Sequence, residues 1–165
     1  MRIAAKRILV LRMHGVGDVL WATPFLANLR QGNPDARIAF LVRDFCAPIM
    51  ENNTDIDELI VYQKSSLPGD IRFLRGLRDR RFDLTIDLIG TPRTALQSLV
   101  TGAKNRIGFD FRIRKLFYNH VLSADIANRG HEVEFHLFVL DYLKIPVVTR
   151  ELVFNLRPEE IAYKK

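Results

Sequence analysis

The sequence predicts an α/β fold, a Rossmann-like open parallel sheet with helices on both faces. Three observations predict it. The apolar runs RILVLR, RIAFLV, ELIVY and LTIDLIG have buried-strand length, are rich in Ile, Leu and Val, and are bounded by Gly, Pro, Asn or Asp. Segments that fit helices lie between and after them, over 18–30, 45–51, 70–80 and 92–101. Strand followed by helix, repeated, builds parallel βαβ units whose crossovers cover both faces of the sheet.

The elements follow in order. Ile8 to Leu11 read as a fully buried strand. The helix after it contains Pro24, which would remove the hydrogen bond to Leu20 and kink a helix starting at Asp18. Alternatively, Thr23 caps a helix with Pro24 at its first position. QGNPDA then supplies a glycine stop and a proline turn before the second strand. In the helix over 70–80, Ile71, Leu74 and Leu77 share one face, Asp70 is placed as N-cap, and Arg72, Arg75 and Arg78 form a neighbouring stripe. Asp83 and Asp87 flank the fourth strand on one face, Asp83 edging the sheet and Asp87 toward the cleft at its carboxyl end. A last helix fits 133–143, where Val133, Leu137 and Leu140 recur at helical spacing.

The 165 residues, 48% of them hydrophobic, fit one core. Cys46, the single cysteine, excludes an intrachain disulfide and a multi-cysteine metal site, and it reads as a small buried hydrophobe. No run has the length of a membrane span and the amino terminus lacks the pattern of a signal peptide, so a cytoplasmic location is expected. The formal net charge of +6 favours an anionic partner. The basic residues are spread along the chain without the dense tract of a nucleic-acid arm, so no nucleic acid is expected.

HGVGD joins the first strand to the first helix, at the turn where open parallel sheets bind ligands. Gly15 and Gly17 permit positive φ or the close approach of another molecule. Leu20 stands where a dinucleotide fingerprint needs its third glycine, and no phosphate-binding P-loop is present. Asp18 puts a carboxylate where a phosphate would sit, so the loop suits a sugar hydroxyl better than a pyrophosphate. Two roles compete for Asp18. As an N-cap it would contribute about 0.5–2 kcal/mol. As a general base it would contribute about 10²–10⁴ in rate.

ILVLRMHGVGDVLWATPFLANLR, then PDARIAFLVRDFCAPIMENNTDIDELIVY, FDLTIDLIGTPRTALQSLVTGAKNRIGFD and HEVEFHLFVLDYLKI, resemble in order the N-terminal domain of the ADP-heptose:lipopolysaccharide heptosyltransferases. The resemblance implies the N-terminal half of a GT-B glycosyltransferase, over 1–156, with 157–165 beginning an interdomain linker and the donor-binding C-terminal domain absent. It implies inverting transfer of heptose from ADP-heptose to a lipopolysaccharide core acceptor, with no cofactor and no metal, at the inner face of the inner membrane with peripheral membrane contact. Asp18 matches the family's catalytic base. Lys64, Arg93 and Arg112 are candidates to bind the anionic acceptor, with Gly15 and Gly17 at the same loop. His14 stands where the family commonly has Ser or another small polar residue, and is a further candidate contact. HEVEF is not the zinc motif H-E-x-x-H, because Phe135 replaces the second histidine, and His131 reads as structural. The alternative reading is a non-catalytic module of the same fold that binds an anionic sugar or regulates a partner.

Overall fold

The computed structural model describes residues 3–125 and 132–155; His131 and the expected linker over 157–165 lie outside the described residues. Six parallel strands form one sheet in the order β3-β2-β1-β4-β5-β6. They are β1 (Arg7–Leu11), β2 (Arg37–Arg43), β3 (Glu58–Tyr62), β4 (Leu84–Asp87), β5 (Asn105–Phe109) and β6 (His120–Leu122). The first four match the apolar runs. β5 and β6 extend the sheet beyond them through NRIGF and HVL. β1 is central, with Leu11 registered against Leu41 on one side and Asp87 on the other. Strand order reverses between β1 and β4, and the carboxyl ends of these two strands form the switch point where ligands bind in such sheets.

Side-chain alternation divides the core in two. Ile8, Val10, Phe40 and Ile86 pack with α1 (Val16–Trp21), α2 (Thr23–Gly32), α3 (Ala47–Met50) and α6 (Glu132–Leu143) on one face. Leu9, Leu11, Leu41 and Tyr62 turn to the other face, where Leu77 of α4 (Leu67–Asp79) meets them. α5 (Pro92–Val100) lies beside α4 and is pinned to β4 by a buried hydrogen bond of 2.6 Å between the Ser98 and Thr85 hydroxyls.

Several boundaries differ from the sequence expectation for local reasons. The helix expected over 18–30 is two helices that break at Ala22. Pro24 has no N–H for the Leu20 carbonyl, and the Thr23 hydroxyl donates to that carbonyl instead, at 2.8 Å. Thr23 therefore sits inside α2 and Ala22 precedes it as N-cap. α4 begins at Leu67, three residues early, with Ser66 as N-cap. Asp70 is thus in the first turn and not the cap, and its carboxylate accepts from the Tyr62 hydroxyl at 2.9 Å. The segment over 45–51 divides into a 3₁₀ turn, Asp44–Cys46, and the single turn of α3.

Candidate active site

The switch point is built from the residues that follow the strands. Arg12 extends β1 by one residue, its N–H donating to the Leu41 carbonyl at 3.1 Å. Alternation sends its side chain to the α1/α6 face, where it is 5% exposed. One guanidinium nitrogen, Nη2, reaches both Glu132 Oε1 at 2.6 Å and Asp18 Oδ2 at 3.2 Å. Nη1 points at the Leu88 carbonyl, 3.4 Å away. The backbone next turns through Gly15, whose φ of +81° suits a glycine. A β-carbon built on Gly15 would stand 2.3 Å from Asp18 Oδ2, so the missing side chain is what lets the carboxylate fold back over the loop.

Asp18 is therefore not the helix cap. Gly15 occupies the N-cap of α1 with no side-chain cap bond, and Asp18 lies three residues further on. Its carboxylate is one-third exposed and its ion-pair partner is Arg12. The acids Asp18 and Glu132 face each other across a cation supplied by the chain itself. Among the described residues no group of three or more His, Cys, Asp or Glu side chains is arranged to hold a metal ion.

Behind Glu132, His136 is fully buried on the same helix. Its Nδ1 lies 3.3 Å from the Trp21 carbonyl, while Nε2 has no hydrogen-bond partner and stands 3.8 Å from Glu132 Oε1. Burial, and after it the Arg12 charge, push the imidazole down to about 3 against the opposing pull of the Trp21 carbonyl. His136 is thus neutral near pH 7 and packs beneath the Arg12–Glu132 pair as an uncharged wall.

The other predicted residues divide into those that join this cluster and those that do not. His14 is exposed at the mouth of the loop. Partial burial and then the charges of Arg43, Arg12 and Arg93 hold its imidazole below the usual range, with Asp18 acting in the opposite direction. Arg93, the third of these charges, is anchored on β3 and α4. Its guanidinium lies over the Tyr62 ring, 5.1 Å from the centroid, donates to the Tyr62 hydroxyl and pairs with Asp70 at 3.4 Å. Gly17 lies inside α1 without positive φ, so conformation does not require a glycine there. Lys64 is exposed between β3 and α4, and Arg112 is exposed at the start of the 3₁₀ segment Arg112–Phe117. Neither enters the ion pairs of the Arg12 cluster among the described residues.

Asp87 ends β4 beside Leu11 but faces away from Arg12 and is wholly buried. It accepts from the Tyr118 hydroxyl at 2.6 Å, the Gly90 amide at 2.9 Å and the Ile89 amide at 3.0 Å. Burial raises its carboxyl pKa against those bonds. It clamps the β4–α5 turn and does not open on the cleft. Cys46 is buried, and burial pushes its thiol up, in keeping with a packing role. Arg12 and Glu132 are the site residues that sequence reading missed. A charged residue at the carboxyl end of a buried strand, as at Arg12 just past β1 and Arg43 closing β2, is the signal that points to the carboxyl edge of the sheet.

The parallel order and the helices on both faces define an open α/β domain, with a partly exposed carboxylate at its switch point. The chain is similar to part of several curated glycosyltransferases, heptosyltransferases among them. It is 26% identical over 156 residues to lipopolysaccharide heptosyltransferase 3 of Escherichia coli, an alignment covering 90% of this chain and 45% of the relative. It is 24% identical over 137 residues to the lipopolysaccharide core heptosyltransferase OpsX of Haemophilus influenzae, covering 75% and 40%. Among solved structures, a glycosyl transferase of family 9 from Veillonella parvula superposes with a TM-score of 0.82 at 26% identity, over 96% of this chain and 47% of that one. The E. coli ADP-heptose heptosyltransferase II shares the fold, with a TM-score of 0.75 at 23% identity, over 95% and 49%. No family model matches the chain. The chain spans about half the length of these relatives, or less.

Proposed function

We propose that this chain is the acceptor-side, N-terminal half of an inverting glycosyltransferase that moves heptose from ADP-heptose to a lipopolysaccharide core acceptor, with Asp18 as general base. One observation carries the reading. Asp18 is a solvent-accessible carboxylate at the switch point of the sheet, folded over a glycine and oriented by a buried arginine. A base needs a free lone pair within reach of the acceptor hydroxyl and a fixed direction. The single Arg12 contact to Oδ2 orients the group and leaves Oδ1 for that proton.

The acceptor's acidic groups would meet Arg93, Lys64 and Arg112 around the cleft, with His14 and the Gly15–Gly17 loop against the sugar. The donor's diphosphate needs its own cationic or helix-terminal site. On this reading a second domain supplies it, and the pair works at the cytoplasmic face of the inner membrane. Similarity to lipopolysaccharide heptosyltransferases supports the sugar and the acceptor, and the Asp18–Arg12 geometry supports the chemistry.

The test is heptose transfer from ADP-heptose by the chain joined to a donor-binding domain. Asp18→Asn should lower kcat by about 10²–10⁴ while acceptor binding is retained. Undiminished turnover would remove the base from Asp18. Turnover by the chain alone would remove the need for a second domain.

A further inference from the structure

Arg12 is a costly partner for a base. Its side chain is buried, so its charge is weakly screened, and an opposite charge at this range ordinarily lowers a carboxyl pKa by about 1–3. A general base needs the reverse, a carboxylate whose affinity for a proton is not spent in an ion pair. The guanidinium charge has to be offset by another group.

Glu132 opens α6 and reaches the same nitrogen as Asp18. Nη2 of Arg12 lies 2.6 Å from Glu132 Oε1 and 3.2 Å from Asp18 Oδ2, so the shorter contact belongs to the acid outside the loop. Two carboxylates on one guanidinium leave negative charge in excess. Nε of Arg12, on the same edge as Nη2, is buried without a hydrogen-bond partner. That edge suits a carboxylate in a two-pronged pair, a geometry that would take up both Asp18 oxygens.

The other groups around Asp18 bring no further uncompensated charge. On α6, His136 Nε2 stands 3.8 Å from Glu132 Oε1, and burial and the Arg12 charge keep the ring neutral. In the loop, His14 is held below its usual range, by burial first. Arg43 and Arg93, the further cations felt at His14, pair with Asp44 and Asp70 at 3.6 and 3.4 Å. Burial pushes the Cys46 thiol up, Arg30 of α2 pairs with Asp57, and α3 has no charged residue.

We propose that Glu132 is a positioning residue for Asp18: it holds the shared nitrogen and cancels the Arg12 charge, so the guanidinium fixes the Asp18 carboxylate at one oxygen and leaves its capacity to accept a proton. The proposal rests on the preceding reading for the use made of that proton. A first-turn acid could instead serve only the helix dipole, but Glu134 has the same place in the helix and pairs with Arg150 at the surface. Glu134 therefore provides the control.

The test is carbon-13 NMR of the aspartate side-chain carboxyls in the chain as it stands, followed against pH, with Asp18→Asn assigning the signal. In Glu132→Gln, which keeps the shape and removes the charge, Asp18 should titrate about one pH unit lower than in the parent. Glu132→Asp, which keeps the charge one methylene further back, should fall between the two and carries the test if the glutamine chain does not fold. Glu134→Gln should titrate as the parent does. An Asp18 midpoint that is the same in the parent and in the Glu132 variants overturns the proposal, as does an equal drop in Glu134→Gln. In the chain joined to a donor-binding domain, Glu132→Gln should move the acid limb of kcat/KM to lower pH with the Asp18 midpoint and lower kcat about threefold, because a weaker base pulls less on the hydroxyl proton. If the NMR midpoint moves and the acid limb stays, the charge compensation stands and Asp18 is not the base, so the two readings fail separately.

Discussion

Asp18 lies beyond the carboxyl end of β1 and Asp87 at the end of its neighbour β4, and their surroundings are opposite. Asp87 is wholly buried and accepts from a hydroxyl and two amides. Asp18 is one-third exposed and touches one guanidinium. A carboxylate saturated with donors is a structural clamp, whereas one held at a single oxygen keeps the capacity to accept a proton from something that arrives. Position at a strand end does not separate these roles; the number of unused lone pairs does.

Substituting each aspartate should therefore damage different properties. Asp18→Asn should give the largest effect, the loss of about 10²–10⁴ in transfer, with the midpoint of denaturant unfolding nearly unmoved. Asp87→Ala should leave the Tyr118 hydroxyl and two turn amides without their acceptor and cost about 3 kcal/mol or more of stability, read from the same denaturation curves. Comparable destabilisation by Asp18→Asn would end the contrast.

The sequence made the contrast only half legible. β1 to β4 stand out because each is a short run dominated by Ile, Leu and Val, and HGVGD stands out because its glycines follow the first of them. β5 and β6 do not, since NRIGF carries polar residues and a glycine against Tyr118 and HVL has three residues at the sheet edge. That Asp87 turns away from Asp18 follows from sheet register, which brings Leu11 beside Asp87 and sends Arg12 to the opposite face. Arg12 and Glu132 meet only in the fold, 120 residues apart in sequence, so no local pattern announces their pairing.

The neutral wall behind Arg12 gives the next effect, a dependence of stability on pH. The His136 imidazole is held down to about 3 in the folded protein, with Arg12 and Glu132 facing it, whereas the unfolded chain takes up the proton near 6.5. As pH falls from 6.5 toward 3 the unfolded state binds a proton that the folded state refuses, so stability is lost in that window. The slope from this one group is about 1.4 kcal/mol per pH unit. His136→Gln should flatten the stability curve between pH 6 and 4 by that amount relative to the parent, a difference that removes the separate contribution of Asp87. Parallel curves would mean that the histidine titrates normally and is not sealed beneath the ion pair.

The smallest effects distinguish the two glycines of the first loop. Gly15→Ala meets a φ of +81° and puts a methyl group 2.3 Å from Asp18 Oδ2, so it should cost about 1–3 kcal/mol and displace the carboxylate. Gly17 has no such constraint; the nearest atom to an added β-carbon is in the Trp21 ring, at 3.9 Å. Within a helix, Gly17→Ala should instead raise stability by about 0.5–1 kcal/mol. Its effect on transfer then isolates the remaining role proposed for Gly17. If KM for the acceptor rises while stability improves and kcat holds, the missing side chain serves the approach of the sugar. If transfer is unchanged, the close approach belongs to Gly15 alone, and the loop needs one glycine to fold Asp18 back toward Arg12 and none to admit the acceptor.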